Sequence, residues 1–113
     1  MKVLVVEDED MVARSMIRAL KMHGHQAERA VSVEEARRIL QSGPFDALIC
    51  DMLLGRGGNG LELISWAHSE FPALRCVLAT AANTVGFVED PPTLRLLRKP
   101  FNTQELHDAI TRP

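Results

Sequence analysis

Four acids stand together at Glu7-Asp-Glu-Asp10, directly after the apolar run Lys2-Val-Leu-Val-Val6. Asp51 ends a second run, Ala47-Leu-Ile-Cys50, and a glycine-rich stretch follows it. Carboxylates at one place repel unless something positive lies between them. Glu7, Asp8 and Asp51 would therefore make a hard, oxygen-only site, suited to Mg²⁺ with several retained waters. Thr80, at the end of Leu74–Ala79, offers a hydroxyl, and the small Ala81 and Ala82 beyond it leave room for an incoming group. Lys99, after Thr93–Arg98, offers a point charge that complements a phosphate oxygen. Together these residues form the layout for phosphoryl transfer onto a carboxylate, with a cation offsetting charge and Lys99 and Thr80 holding the oxygens. Each piece alone has a plainer reading. Aspartate caps turns, threonine after a strand is often a turn residue, and Lys-Pro is a common loop pair.

The elements that must position these groups follow from the spacing of apolar residues. Lys2–Val6 and Ala47–Asp51 read as buried central strands, Gln26–Val31 as a more polar edge strand, and Leu74–Ala79 and Thr93–Arg98 as two more. Between them Val12, Met16, Ala19, Leu20 and His23 recur at helical spacing, with Gly24 as the stop. Ser32-Val-Glu-Glu35 has the form of a capping box opening a second helix, which runs to Gly43-Pro44. Leu61, Ile64, Ala67 or His68, and Phe71 mark a third, stopped by Pro72. Ala82 to Asp90 reads as a loop or at most a short fourth helix of about two turns, ended by Pro91-Pro92, and a last helix is capped by Asn102-Thr-Gln-Glu105. Glu9 and Asp10 are expected to point outward and cap the first helix.

Alternating strands and helices predict a doubly wound α/β fold with a parallel five-stranded sheet, helices on both faces and the flavodoxin-like order 2-1-3-4-5. In that order strand 1 lies beside strand 3, which brings the acids after Val6 next to Asp51. Ligands bind at that carboxyl edge in open parallel sheets.

The chain of 113 residues is read as one domain, 1–113, without repeat, linker or low-complexity tract. A net charge of −2, no tyrosine and one tryptophan give no case for direct nucleic-acid binding. No apolar stretch approaches the roughly 20 residues of a membrane span, and Met1-Lys2 leads into no signal peptide. Cys50 and Cys76, both in strand-like runs, read as buried free thiols, which fits a cytoplasmic location.

The chain resembles the receiver domain of bacterial two-component response regulators over essentially its whole length. The resemblance rests on Glu7-Asp8 after Val-Leu-Val-Val, on Asp51 after Asp-Ala-Leu-Ile-Cys, and on Gly60-Leu-Glu-Leu63, Ala79-Thr80-Ala81 and Lys99-Pro100-Phe101. It implies that Asp51 accepts a phosphoryl group from the phosphohistidine of a sensor histidine kinase or histidine phosphotransfer protein. It implies that Asp8, Asp51 and the backbone carbonyl of Leu53 bind Mg²⁺, with Glu7 acting largely through a bound water. Thr80 and Lys99 would engage the phosphoryl oxygens and relay the signal to an output surface. Such a domain is no enzyme in the usual sense, since it catalyses only its own phosphorylation and dephosphorylation. The resemblance also implies a cis Lys99–Pro100 bond, and it leaves a dimer or an attached output domain open.

Three features depart from the family. The loop Leu54–Gly60 lacks the usual proline and is a residue longer than the commonest form. The span from Thr80 to Lys99 is short, which shortens the fourth helix. Leu96 and Leu97 stand where a tyrosine or phenylalanine commonly swings on activation. The expected readout is therefore ordering of Ala82–Pro92 around Thr80 instead of an aromatic flip.

Two rival classes fit less well. A phosphatase working through an aspartyl phosphate needs a second acid shortly after the nucleophile, and Met52 and Leu53 follow Asp51. An interaction module with idle chemistry would not need the full acceptor set. The glycines from Gly55 to Gly60 read as a turn, not a nucleotide-binding loop. His23, His25, His68 and His107 are expected at the surface or at helix ends, and Met11, Met16 and Met22 as packing.

Overall fold

The computed structural model describes residues 1–81 and 94–112. Five parallel strands, β1 (Lys2–Val6), β2 (Gln26–Ala30), β3 (Ala47–Asp51), β4 (Arg75–Thr80) and β5 (Leu94–Arg98), form one sheet in the order β2-β1-β3-β4-β5. Among the described residues four α-helices cover it: α1 (Asp10–Met22), α2 (Val33–Ser42), α3 (Gly60–Glu70) and α4 (Thr103–Thr111). The expected topology and the polar edge strand are both found. The helix read between Ala82 and Asp90, with the segment to Pro92, lies outside the described residues.

The period-2 alternation of each strand divides the core into two layers. Leu4, Val6, Leu48, Cys50, Cys76, Leu78 and Leu94 face α2 and α3, which contribute Ala36, Leu40, Leu63, Ile64 and Ala67. Val3, Val5, Ala47, Ile49, Val77 and Leu97 face α1 and α4, which contribute Met16, Ala19, Leu20, Leu106 and Ile110. Strands buried on both faces need continuous apolar sequence, and for that reason β1, β3 and β4 are so legible.

The helix ends follow local hydrogen-bonding chemistry. Asn102 and Glu105 make the full reciprocal box, Glu105 N donating to Asn102 Oδ1 at 2.8 Å and Asn102 N to Glu105 Oε1 at 3.0 Å. Ser32 provides the forward half, its Oγ accepting from Glu35 N at 3.1 Å. Gly24, at φ 85°, takes the left-handed turn that ends α1. Both cysteines are buried free thiols, Cys50 and Cys76.

Four expectations need correction. Glu9 and Asp10 do point outward, but Glu9, the N-cap of α1, makes no side-chain cap, and Asp10 turns to Arg29, 2.6 Å away. The guanidinium satisfies Asp10 better than a helix terminus would. Met16 is buried, but Met11 and Met22 are 85% and 74% exposed, because they fall off the sheet-facing stripe of α1. Leu61 is also exposed, at 40%, and the buried stripe of α3 is Leu63, Ile64 and Ala67. His25 is not at the surface: it is buried and joined to His107, which a search for metal spacing along the chain does not reveal.

Candidate phosphoryl-acceptor site

The site lies at the carboxyl edge of the sheet, where parallel register sets its geometry. Val6 pairs with Cys50, so the residues that follow them, Glu7 and Asp51, leave adjacent strands side by side. Glu7 is held on several sides. Its backbone N–H donates to Ala30 O at 3.0 Å, and its carbonyl accepts from Arg29 Nε and Nη2 at 3.1 and 3.0 Å. Its carboxylate accepts from Asp8 N at 3.0 Å. Ligand oxygens of Glu7, Asp8 and Asp51 all lie within 4.8 Å of one another, with Glu7 buried, Asp51 half-buried and Asp8 exposed.

Lys99 reaches this group from the far side. Its backbone N–H donates to Thr80 O at 2.9 Å, continuing the β4–β5 ladder past its end. Its Nζ stands 3.0 Å from Asp51 Oδ2 and 3.4 Å from Glu7 Oε1. The Lys99–Pro100 bond is cis, as the resemblance implies. Burial raises the Glu7 pKa; the Lys99 charge opposes that rise, and the Asp51 charge adds to it. Burial works against the Lys99 charge, but its hydrogen bond and attraction to Asp51, and then Glu7, outweigh burial and raise its pKa.

The turn after Asp51 is fixed by close backbone approach. Met52 N donates to Ala79 O and Gly60 N to Met52 O, both at 2.9 Å. A Cβ on Gly60 would sit 2.2 Å from Asp51 O, so only glycine fits this path. Leu53 pairs with Asn59 in an isolated antiparallel bridge, and its backbone N–H points to Asp51 Oδ1 at 3.4 Å. Its side chain is 71% exposed.

The expected residues thus meet to different degrees. Glu7, Asp8, Asp51 and Lys99 are brought together directly. Thr80 is buried at the end of β4, one residue beyond Ala79, the register partner of Asp51. Its hydroxyl donates toward Met52 Sδ at 3.7 Å. Leu97 is buried toward α1 and α4, and Leu96 is half-buried on the opposite face. Sequence reasoning missed Arg29, which ties the edge strand to both the Glu7 carbonyl and Asp10. The available signal was a cation in a polar edge strand beside an acidic run.

The all-oxygen donor set fits a hard divalent cation such as Mg²⁺. Among the described residues no helix is long and apolar enough to cross a membrane.

The chain is 30% identical to the alginate biosynthesis transcriptional regulatory protein AlgB of Pseudomonas aeruginosa, over 98% of this chain and 25% of AlgB. It is 33% identical to a response regulator receiver protein of an Anaeromyxobacter species, over 95% of this chain and 43% of that protein. It therefore spans less than half the length of these curated relatives. Among solved structures, the response regulator TrrA of Thermotoga maritima, in complex with Mg²⁺–BeF, superposes with a TM-score of 0.83 at 26% identity, over 95% of this chain and 93% of TrrA. The family model of the response regulator receiver domain matches residues 3–111, and the chain belongs to that family of two-component signalling domains.

Proposed function

We propose that Asp51 accepts a phosphoryl group from the phosphohistidine of a sensor histidine kinase or histidine phosphotransfer protein. The observation that carries this reading is Lys99 Nζ between Asp51 Oδ2 and Glu7 Oε1, within a cluster of three carboxylates. An Asp51 carboxylate oxygen forms a bond to phosphorus as the phosphorus–nitrogen bond breaks, and the imidazole leaves as a neutral ring after taking up a proton. Glu7, Asp8 and Asp51, with the Leu53 carbonyl, would hold Mg²⁺, and Glu7 would act largely through water. When bound, the cation offsets the negative charge that the acceptor and the incoming group bring together. TrrA, solved with Mg²⁺ and beryllofluoride, supports that choice of cation.

Lys99 serves as a fixed positive charge for the phosphoryl oxygens. Thr80 donates its hydroxyl to another of them, leaving Met52 Sδ. The domain is no enzyme toward other substrates and catalyses only its own phosphorylation and dephosphorylation. It works in the cytoplasm, and an attached output domain or a dimer reads its state. The test is exposure to acetyl phosphate with Mg²⁺ and with a chelator. Uptake only with the cation supports the reading, and equal uptake in the chelator contradicts it.

A further inference from the structure

At the edge of the sheet opposite Asp51, before the start of β2, three histidines gather that the phosphoacceptor site does not use. His25 is 9% exposed, and its Nε2 lies 2.9 Å from His107 Nδ1 on α4. The His107 ring stacks on His23, the C-cap of α1, with centroids 4.3 Å apart and planes 12° from parallel. On its other side His25 Nδ1 faces the Met1 amino group at 3.1 Å.

Two imidazole nitrogens facing each other at this distance share one proton, one donating and the other accepting through its lone pair. With the Met1 ammonium donating to Nδ1, the network assigns His25 Nε2 as donor and His107 Nδ1 as acceptor. A further proton on His107 Nδ1 would set two N–H groups head to head. A further proton on His25 Nδ1 would face an ammonium. Either protonation breaks a hydrogen bond and adds repulsion. We propose that the His25–His107 bridge is a proton-sensitive latch, which fastens α4 to α1 and β2 while the facing nitrogens share a single proton and releases it when the pair takes up a second.

The surroundings support this. Among the described residues the charged groups acting on His25 are the Met1 amine, His107 and His23, with no carboxylate beside them. Asp108, beside His107 on α4, is engaged by Gln104 at 2.9 Å and Arg112 at 3.8 Å, and Lys21 in the last turn of α1 adds positive charge. The carbonyls at the C-terminal end of α1, among them Leu20 O, which accepts from His25 N at 3.0 Å, pull the other way and favour a cation. Burial first, and then the neighbouring positive groups, hold the His25 imidazole below its ordinary value. For a depressed imidazole the unfolded chain takes up more protons. The stability it contributes is thus present above about pH 6.5 and is lost as pH falls through the folded-state value. The latch closes on the helix that starts just after Lys99-Pro-Phe101, so its release reaches the element leading from the phosphoacceptor site.

Hydrogen exchange of the α4 amides on the full chain tests the latch. Corrected for intrinsic rate, exchange across Thr103–Thr111 is expected to rise several-fold from about pH 7.5 to about pH 5.5, which stays above the ordinary glutamate range of the Glu105 cap. The amides of β3 stay protected. In His107→Gln, and independently in His25→Gln, the pH response of α4 disappears. It persists in His68→Gln, the control, where a buried Nδ1 without a partner among the described residues is removed. No rise in the wild type, or an equal rise in the His107 and His25 variants, overturns the proposal.

Discussion

Lys99 Nζ stands 3.0 Å from Asp51 Oδ2, and it also reaches the buried Glu7 carboxylate at 3.4 Å. One ammonium thus serves two acids on neighbouring strands, and without it their charges face each other across the sheet edge. Lys99→Met should lower stability at neutral pH by about 1–3 kcal/mol, short of the cost of breaking a fully buried pair because Lys99 is partly exposed. Mg²⁺ should raise the melting temperature of the variant more than that of the wild type, since the cation replaces the missing charge. Thermal unfolding with and without Mg²⁺ measures both. Equal shifts in the two proteins would contradict this account of the site.

Glu7 offers the reverse trade. Its carboxyl is raised above the ordinary value by burial, with the Lys99 charge opposing and the Asp51 charge adding to the rise. A raised acid binds more protons folded than unfolded, so its contribution is full below about pH 4.3 and is lost as pH rises through the folded-state value. Glu7→Gln should therefore be more stable than the wild type at neutral pH without metal, by about 0.5–2 kcal/mol. The gain should vanish in acid, and Mg²⁺ affinity should drop. Urea titrations at both pH values check the sign, and a variant less stable than wild type at neutral pH would refute it.

Gly60 is the steric test. A methyl group there would meet the backbone oxygen of Asp51 at 2.2 Å, with no flexible side chain to yield. Gly60→Ala should cost about 1–3 kcal/mol or more and displace the acceptor. Chemical denaturation together with phosphorylation yield reads both effects, and a variant with unchanged stability and yield would show that the turn adapts.

Lifetime depends on the water that would attack the acyl phosphate. The family resemblance puts its positioning residues two beyond the acceptor and two beyond the threonine, here Leu53 and Ala82, the latter outside the described residues. Leu53 is exposed beside Asp51 and offers no hydrogen bond from its side chain. We expect slow self-dephosphorylation, sped up several-fold by Leu53→Asn. Decay of the phosphorylated variant no faster than the wild type would rule this out.

Much of this was legible in the chain because burial leaves a simple mark. β1, β3 and β4 are covered on both faces and read as unbroken apolar runs, and their order placed Glu7 and Asp8 beside Asp51. Lys99 was legible as a cation at a strand end, and the structure adds its second partner, Glu7. What stayed hidden depends on contacts between residues distant in sequence. Arg29 clamps the Glu7 carbonyl from the edge strand, and His25 meets His107 across 82 positions. Neither pairing leaves a local pattern. Helix-face assignments failed where one residue decides the stripe, as at Leu61 and Met11.

The most direct test of the central claim is intact-mass measurement after acetyl phosphate and Mg²⁺. The account predicts one added phosphoryl group on the wild-type chain and none on Asp51→Asn. Labelling of the asparagine variant to the wild-type extent would contradict it.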